Sequence, residues 1–265
     1  MCITVARLGL WLVAQVLAPG GSARSPGPVR AVVGGHAGSQ LGPCQRVNPS
    51  AECIVLKLYD FGPAANSKRV RMFLVEKNMD VPIVELNVRD DEQFKEPYTS
   101  MNPFHCVPFL QLDDGTVIAE SISVCRYLEE LQPEPSMFGR SAVERATIDM
   151  WNRRVELDGF MPILHATRNQ VPLFAGRVVP GTRTDLPQLP AMVERGQEML
   201  HIFLQRLDPQ LAGNQFVAGD QVSIADITCF FVINMANRFE MGVQERYPGI
   251  YRWHSEFSER PSASA

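Results

Sequence analysis

"NPFHCVPFLQLDDGTVIAES", residues 102–121, decides the fold. Two short apolar runs, Phe109–Leu112 and Val117–Ala119, flank Asp114-Gly115, a strong hairpin signal. A Val-Pro pair stands directly before the first run. Proline has no amide hydrogen and interrupts a strand ladder, so it belongs at a first strand position or an edge. Its place here suggests that the neighbouring backbone is reserved for something else. The hairpin ends on Glu120-Ser121, where a helix opens and runs to Leu131 with Val124, Cys125 and Leu128 inward.

Upstream, residues 54–59 form a short β-rich run, broken by Asp60-Phe61-Gly62-Pro63. Asn66 and Ser67 suit a helix N-terminus. Val70, Phe73, Leu74 and Lys77 follow at helical spacing and predict a core stripe carrying a snorkelling lysine. Residues 82–87 read as a second strand, and residues 90–103 as a loop with one helical turn. The order strand–helix–strand, then hairpin and helix, is the thioredoxin layout, with helices over both sheet faces.

Residues 132–136 read as a linker, and the remainder is helical. Val143, Ala146, Thr147, Met150, Arg154 and Leu157 keep helical spacing, and Pro162 marks a break or kink. Residues 171–190 hold four prolines and two glycines and predict a loop over the cleft. Pro190 suits a first helical position, and Met192, Met199, Phe203 and Leu207 continue an apolar face. In "FVAGDQVSIADITCFFV", residues 216–232, Ser223 and Asp226 make a capping box, with Val222 available as a staple. Both residues are read as structural. The fold class is therefore α/β plus all-α: a thioredoxin-like domain over 53–132, a linker over 133–140 and an all-helical domain over 141–265.

The totals bound the function. With 265 residues, 45% hydrophobic and 20% charged, and a formal net charge of -4, the chain is of ordinary globular composition and offers no basic surface for nucleic acid. The six cysteines are spread without a regular framework, which fits free thiols in a reducing, cytoplasmic setting. The five histidines lack metal-site spacing, so no metal is expected. Residues 1–51 hold four arginines and no acidic residue, so this stretch carries +4 and the remainder -8. The Leu8–Ala18 run within it has the length of a signal h-region and is too short to span a bilayer. The Gly, Pro, Ser and Ala of residues 1–52 favour a disordered extension. "RAVVGGHAGSQLG", residues 30–42, looks like a dinucleotide loop, but Gly42-Pro43 ends it before any helix opens, so a linker is the better reading.

On Tyr59-Asp60, Ser67-Lys68-Arg69-Val70-Arg71, Asn102-Pro103, Val107-Pro108, "LDDGTVIAES" (112–121) and Arg126-Tyr127-Leu128, the chain resembles the glutathione transferase superfamily over about residues 54 to 262. It is similar to bacterial and fungal members that lack the usual Tyr, Ser or Cys of the first domain. The resemblance implies a cis Val107-Pro108 peptide, with the Val107 backbone pairing the cysteine of glutathione. It also implies that Ser121 and its amide hold the γ-glutamyl carboxylate at a helix N-terminus, with Glu120 orienting the site.

The chemistry implied is thiolate formation. A free thiol of pKa about 8.5 is only ~3% ionised at pH 7, and lowering it by about two units asks for about 2.7 kcal/mol of preferential stabilisation. Here the chain departs from the family. The usual Ser position falls on Ala64 and the usual Cys position on Asn66. Ser67 and the amides around Asn66 are the first candidates for activating the thiol, and His165 the second. Where relatives place Lys or Arg for the glycyl carboxylate, this chain has His105-Cys106; His105 is the candidate ligand, and Cys106 either a small packing residue or a site of mixed-disulfide chemistry. Three functions compete: a transferase joining glutathione to small hydrophobic electrophiles, a glutathione-dependent thiol transferase or peroxidase, and a non-catalytic binding protein. The transferase is the favoured reading, with the acceptor between the 150–165 helix and the 171–190 loop. Glutathione is a co-substrate, no further cofactor is expected, and the resemblance implies a homodimer with no membrane or nucleic-acid partner.

Overall fold

A computed structural model describes residues 56–265. The extension expected over residues 1–52, with its Leu8–Ala18 run and its glycines 34–38, lies outside the described residues.

Four strands form one mixed sheet in the order β2-β1-β3-β4. β1 (Lys57–Asp60) pairs in parallel with β2 (Ile83–Glu85), and antiparallel with β3 (Phe109–Gln111), which pairs antiparallel with β4 (Val117–Ala119). The Asp114-Gly115 turn is where the sequence places it, with Gly115 at φ 85°, a conformation that glycine adopts without steric cost. Helix α1 (Ala65–Lys77) crosses between the parallel strands, and α3 (Ser121–Leu131) follows the hairpin. The opposite face of the sheet carries a small cluster in which Tyr59 stacks on Phe109 at 4.7 Å. The short α2 (Tyr98–Met101) covers that cluster, after 3-10 turns at Val88–Asp90 and Glu92–Phe94.

Two local expectations are corrected. Lys77 does not snorkel: it has no exposed surface. Its Nζ donates to Glu129 Oε2 and to the Pro135 carbonyl, both at 2.7 Å. Glu129 also accepts from the amides of Met137 and Phe138, so the buried charge pair ties α1, α3 and the linker together. The α1 N-cap is Ala64, without a side-chain hydrogen bond; Asn66 and Ser67 lie inside the helix.

The helical half begins with α4 (Ala142–Arg154), continues through a π-helical stretch (Val155–Phe160) and passes into α5 (Met161–Gln170). Pro162 has no amide to return to the Asp158 carbonyl, so regular α-helical bonding fails just where the sequence predicts a break. Next come α6 (Pro190–Gly213), α7 (Ile224–Arg238), α8 (Val243–Arg246) and α9 (Pro248–Ser258). The Ser223/Asp226 capping box forms. Asp226 Oδ1 also accepts from the Val217 amide at 2.8 Å and from Trp253 Nε1 at 3.0 Å, which makes it the hinge pin between α7 and α9. Burial pushes its carboxyl up to about 6, against those hydrogen bonds.

One apolar core runs through both halves, from Val70, Phe73 and Leu128 to Leu204, Ile227 and Trp253. Behind it, Arg260 grips Glu76 of α1 through two hydrogen bonds of 2.8 and 2.7 Å. Among the described residues no helix is long and apolar enough to cross a membrane.

Candidate active site

Strand register brings the site together. Tyr59 lies opposite Phe109, and Phe109 opposite Ala119. The turn leaving β1, the Val107-Pro108 pair entering β3 and the Glu120-Ser121 pair leaving β4 therefore share one end of the sheet.

Val107-Pro108 is cis, and Val107 lies just outside the β3 ladder. Its N–H and C=O find no hydrogen-bond partner among the described residues. Half-buried and unpaired, they are open to an extended ligand. The preceding loop is pinned by Asn102, itself 2% exposed. Its Nδ2 donates to the Cys106 carbonyl at 2.9 Å, and its Oδ1 accepts from the Phe104 amide at 3.2 Å. This is the physical content of the Asn-Pro pair. His105, at φ 51°, has Nδ1 3.1 Å from the Gln93 carbonyl and its ring 4.7 Å from Phe94. One ring nitrogen is thus committed to the loop.

At the third corner, Glu120 is exposed and held at φ 68°, a left-handed conformation uncommon for a residue with a Cβ. It delivers the chain abruptly into α3, whose first residue, Ser121, is 3% exposed. Ser121 Oγ accepts from Arg69 Nη1 at 2.8 Å, and its own proton meets no acceptor among the described residues.

The β1–α1 turn is braced from inside. Asp60, fully buried, takes the Phe61 amide at 2.8 Å and Arg71 Nε at 2.5 Å. Ser67 Oγ accepts from the same Phe61 amide at 3.3 Å and has no exposed surface. Ser67, a first candidate for activating the thiol, thus turns its hydroxyl toward the turn and is fully buried. What remains at this corner is the start of α1, where Asn66 is half-exposed. Since alanine at 64 has no side-chain oxygen to cap with, the first-turn amides at the positive end of the helix dipole have no side-chain cap among the described residues.

The helical half closes the cleft. His165 is half-buried on α5, and its ring forms no hydrogen bond among the described residues. One turn on, Arg168 is near enough to act on Cys106: burial pushes that thiol up, Glu120 adds to the rise, and Arg168 pulls against it. The 171–189 segment packs on the 104–106 loop so closely that a Cβ at Gly181 would fall 1.9 Å from the Phe104 carbonyl oxygen and 2.9 Å from Cys106 Sγ. Arg177 and Arg183 both reach Asp91. The loop expected over the cleft is thus strapped to the first domain.

Arg69 and Glu156 carry no role that sequence alone reveals. Arg69 is 3% exposed, and its Nη1 lies 3.3 Å from Glu156 Oε1, in the π-helical stretch. Burial lowers its guanidinium pKa, while Glu156 raises it. The available signal was its place one residue before Val70 and four before Phe73, on the core stripe of α1, where a charge needs a reason.

Comparison with known proteins agrees with the two-domain architecture. Residues 65–131 match the glutathione S-transferase N-terminal domain, and residues 173–261 the glutathione S-transferase C-terminal domain. Glutathione S-transferase 2 of Saccharomyces cerevisiae is 30% identical over 207 residues, covering 77% of this chain and 86% of the relative. The maleylacetoacetate isomerase of Rattus norvegicus is 29% identical, over 73% of this chain and 83% of the relative. The crystal structure of a glutathione S-transferase domain-containing protein from Marinobacter aquaeolei VT8 superposes with a TM-score of 0.71 at 29% identity, covering 78% of this chain and 98% of that one. A two-domain fold, a cis-proline corner and a serine at a helix start thus stand beside matches in both halves: the chain belongs to the glutathione S-transferase family.

Proposed function

We propose that the protein binds glutathione along the Val107–Ser121 corner and activates its thiol for attack on small hydrophobic electrophiles. The observation that carries this reading is the convergence, at one sheet end, of the unpaired Val107 backbone, the Ser121 start of α3 and the uncapped start of α1. Val107 offers one strand-like pair to the cysteine peptide, and Ser121 with its amide takes the γ-glutamyl carboxylate. The sulfur then lies toward the α1 amides near Asn66. Backbone donors and a helix dipole, assisted by His165, supply the roughly 2.7 kcal/mol that a two-unit shift demands. His105 faces the glycyl end, and no cofactor beyond glutathione takes part.

The curated relatives carry names of two reactions, transfer and isomerisation. A thiol-transferase reading requires ionised Cys106, and the raised thiol speaks against it. The expected homodimer is supported by the exposed apolar face of α4, where Val143, 76% exposed, and Met150 line an open surface depression.

The test is retention on immobilised glutathione together with turnover of 1-chloro-2,4-dinitrobenzene. Both are expected. Retention without turnover would favour the non-catalytic binding protein, and failure to bind would end the glutathione reading.

A further inference from the structure

Arg69 is built oddly for a structural ion pair. A guanidinium that holds two elements together commonly turns two nitrogens toward two carboxylate oxygens, as Arg260 does toward Glu76. Here a single nitrogen, Nη1, serves both Ser121 Oγ at 2.8 Å and Glu156 Oε1 at 3.3 Å. Glu156 gives its other oxygen to Arg153 at 3.1 Å. Nε and Nη2 of Arg69 are buried without an acceptor among the described residues, and the ring of Phe160 lies 5.1 Å from the guanidinium carbon. The shorter contact is to the hydroxyl, not to the carboxylate.

A hydroxyl has one proton and two lone pairs. With a cationic donor on one lone pair, the Ser121 proton cannot point at Arg69. It has no acceptor among the described residues, and it lies at the start of α3, where an anion is favoured.

We propose that Arg69 is a positioning residue for the α-carboxylate of glutathione. It fixes and polarises the Ser121 hydroxyl as a donor toward the ligand, and Glu156, from the helical half, fixes Arg69. The inference rests on the glutathione reading above. It makes the carboxylate pocket of the first domain depend on a side chain of the second that never touches the ligand.

Titration calorimetry tests it with two probes: glutathione, and an analogue in which 4-aminobutyrate replaces the glutamyl residue and so removes the α-carboxylate while keeping the amine. Ser121→Ala and Arg69→Gln are each expected to weaken glutathione about tenfold. The double variant is expected to bind no more weakly than Ser121→Ala alone, because both act through one hydrogen bond. The analogue is expected to bind all four proteins alike. Losses that multiply, an Arg69→Gln protein with wild-type affinity, or an equal loss for the analogue would overturn the proposal. Should Arg69→Gln fail to fold, Arg69→Lys supplies the same comparison, with a partial loss for glutathione and none for the analogue. A wild-type protein that binds neither probe overturns the glutathione reading, and this inference with it; wild-type binding without the Arg69 effect overturns the inference alone.

Discussion

Replacing Ala64 by aspartate sets stability and chemistry against each other at one atom. Ala64 already has the extended backbone of an N-cap, φ -76° and ψ 136°, and is half-exposed, so an aspartate there caps α1 without moving the chain. A new cap is expected to stabilise the protein by about 1 kcal/mol. The same carboxylate would occupy the amides assigned to the glutathione sulfur and would lie about 5 Å from it. At an effective dielectric of about 40, that repulsion is about 1–2 kcal/mol, or about one pKa unit on the bound thiol. Urea unfolding is therefore expected to show a higher midpoint, while the pH profile of kcat/KM shifts about one unit upward with a lower rate at pH 7. Ala64→Ser, which caps without charge, is expected to show the stability gain and a smaller shift. A stabilised Ala64→Asp protein with an unmoved pH profile would refute the assignment of the sulfur to the start of α1.

Other outcomes follow from the same geometry. Lys77→Met leaves the 7%-exposed Glu129 without its cation and is expected to cost about 3–5 kcal/mol in urea unfolding; adding Glu129→Leu should recover part of it. The Asp226 carboxyl, up at about 6, is expected to titrate near that pH by carbon-detected NMR. Because the folded pKa lies above the unfolded one, its contribution to stability is fully present below about pH 4 and is lost as pH rises through about 6; a midpoint at or below 4 would contradict the burial argument. Val143→Glu on the exposed face of α4 is expected to give a monomer by sedimentation, and an unchanged dimer would move the interface elsewhere.

Short-range signals were legible. Asp114-Gly115 and the Ser223/Asp226 box each declare their local geometry within a few residues, the apolar runs and helical spacing give the order of elements, and the cis Val107-Pro108 bond was implied by the family resemblance. What the sequence hid was the partner of each charge. Lys77 looks like a snorkelling residue because periodicity shows only its position at the end of a stripe, whereas its partner Glu129 lies 52 residues away. Ser67 looks like a cap or a catalyst by position, and only the fold reveals that its oxygen faces the Phe61 amide. Arg69 passed as part of a motif because Ser121, which gives it a purpose, is again 52 residues distant.

That repeated spacing has a consequence of its own. Arg69 meets Ser121 and Lys77 meets Glu129 at an identical offset, so α1 and α3 run side by side in the same direction, fastened by two polar rivets eight residues apart on each. Deleting one residue between the rivets of α1 would leave the first closed and swing the second by about 100°, stranding a cation among apolar neighbours. Insertions and deletions that surface loops absorb freely are therefore expected to be lethal to folding within 70–76 and 122–128, unless the matching helix changes by the same count.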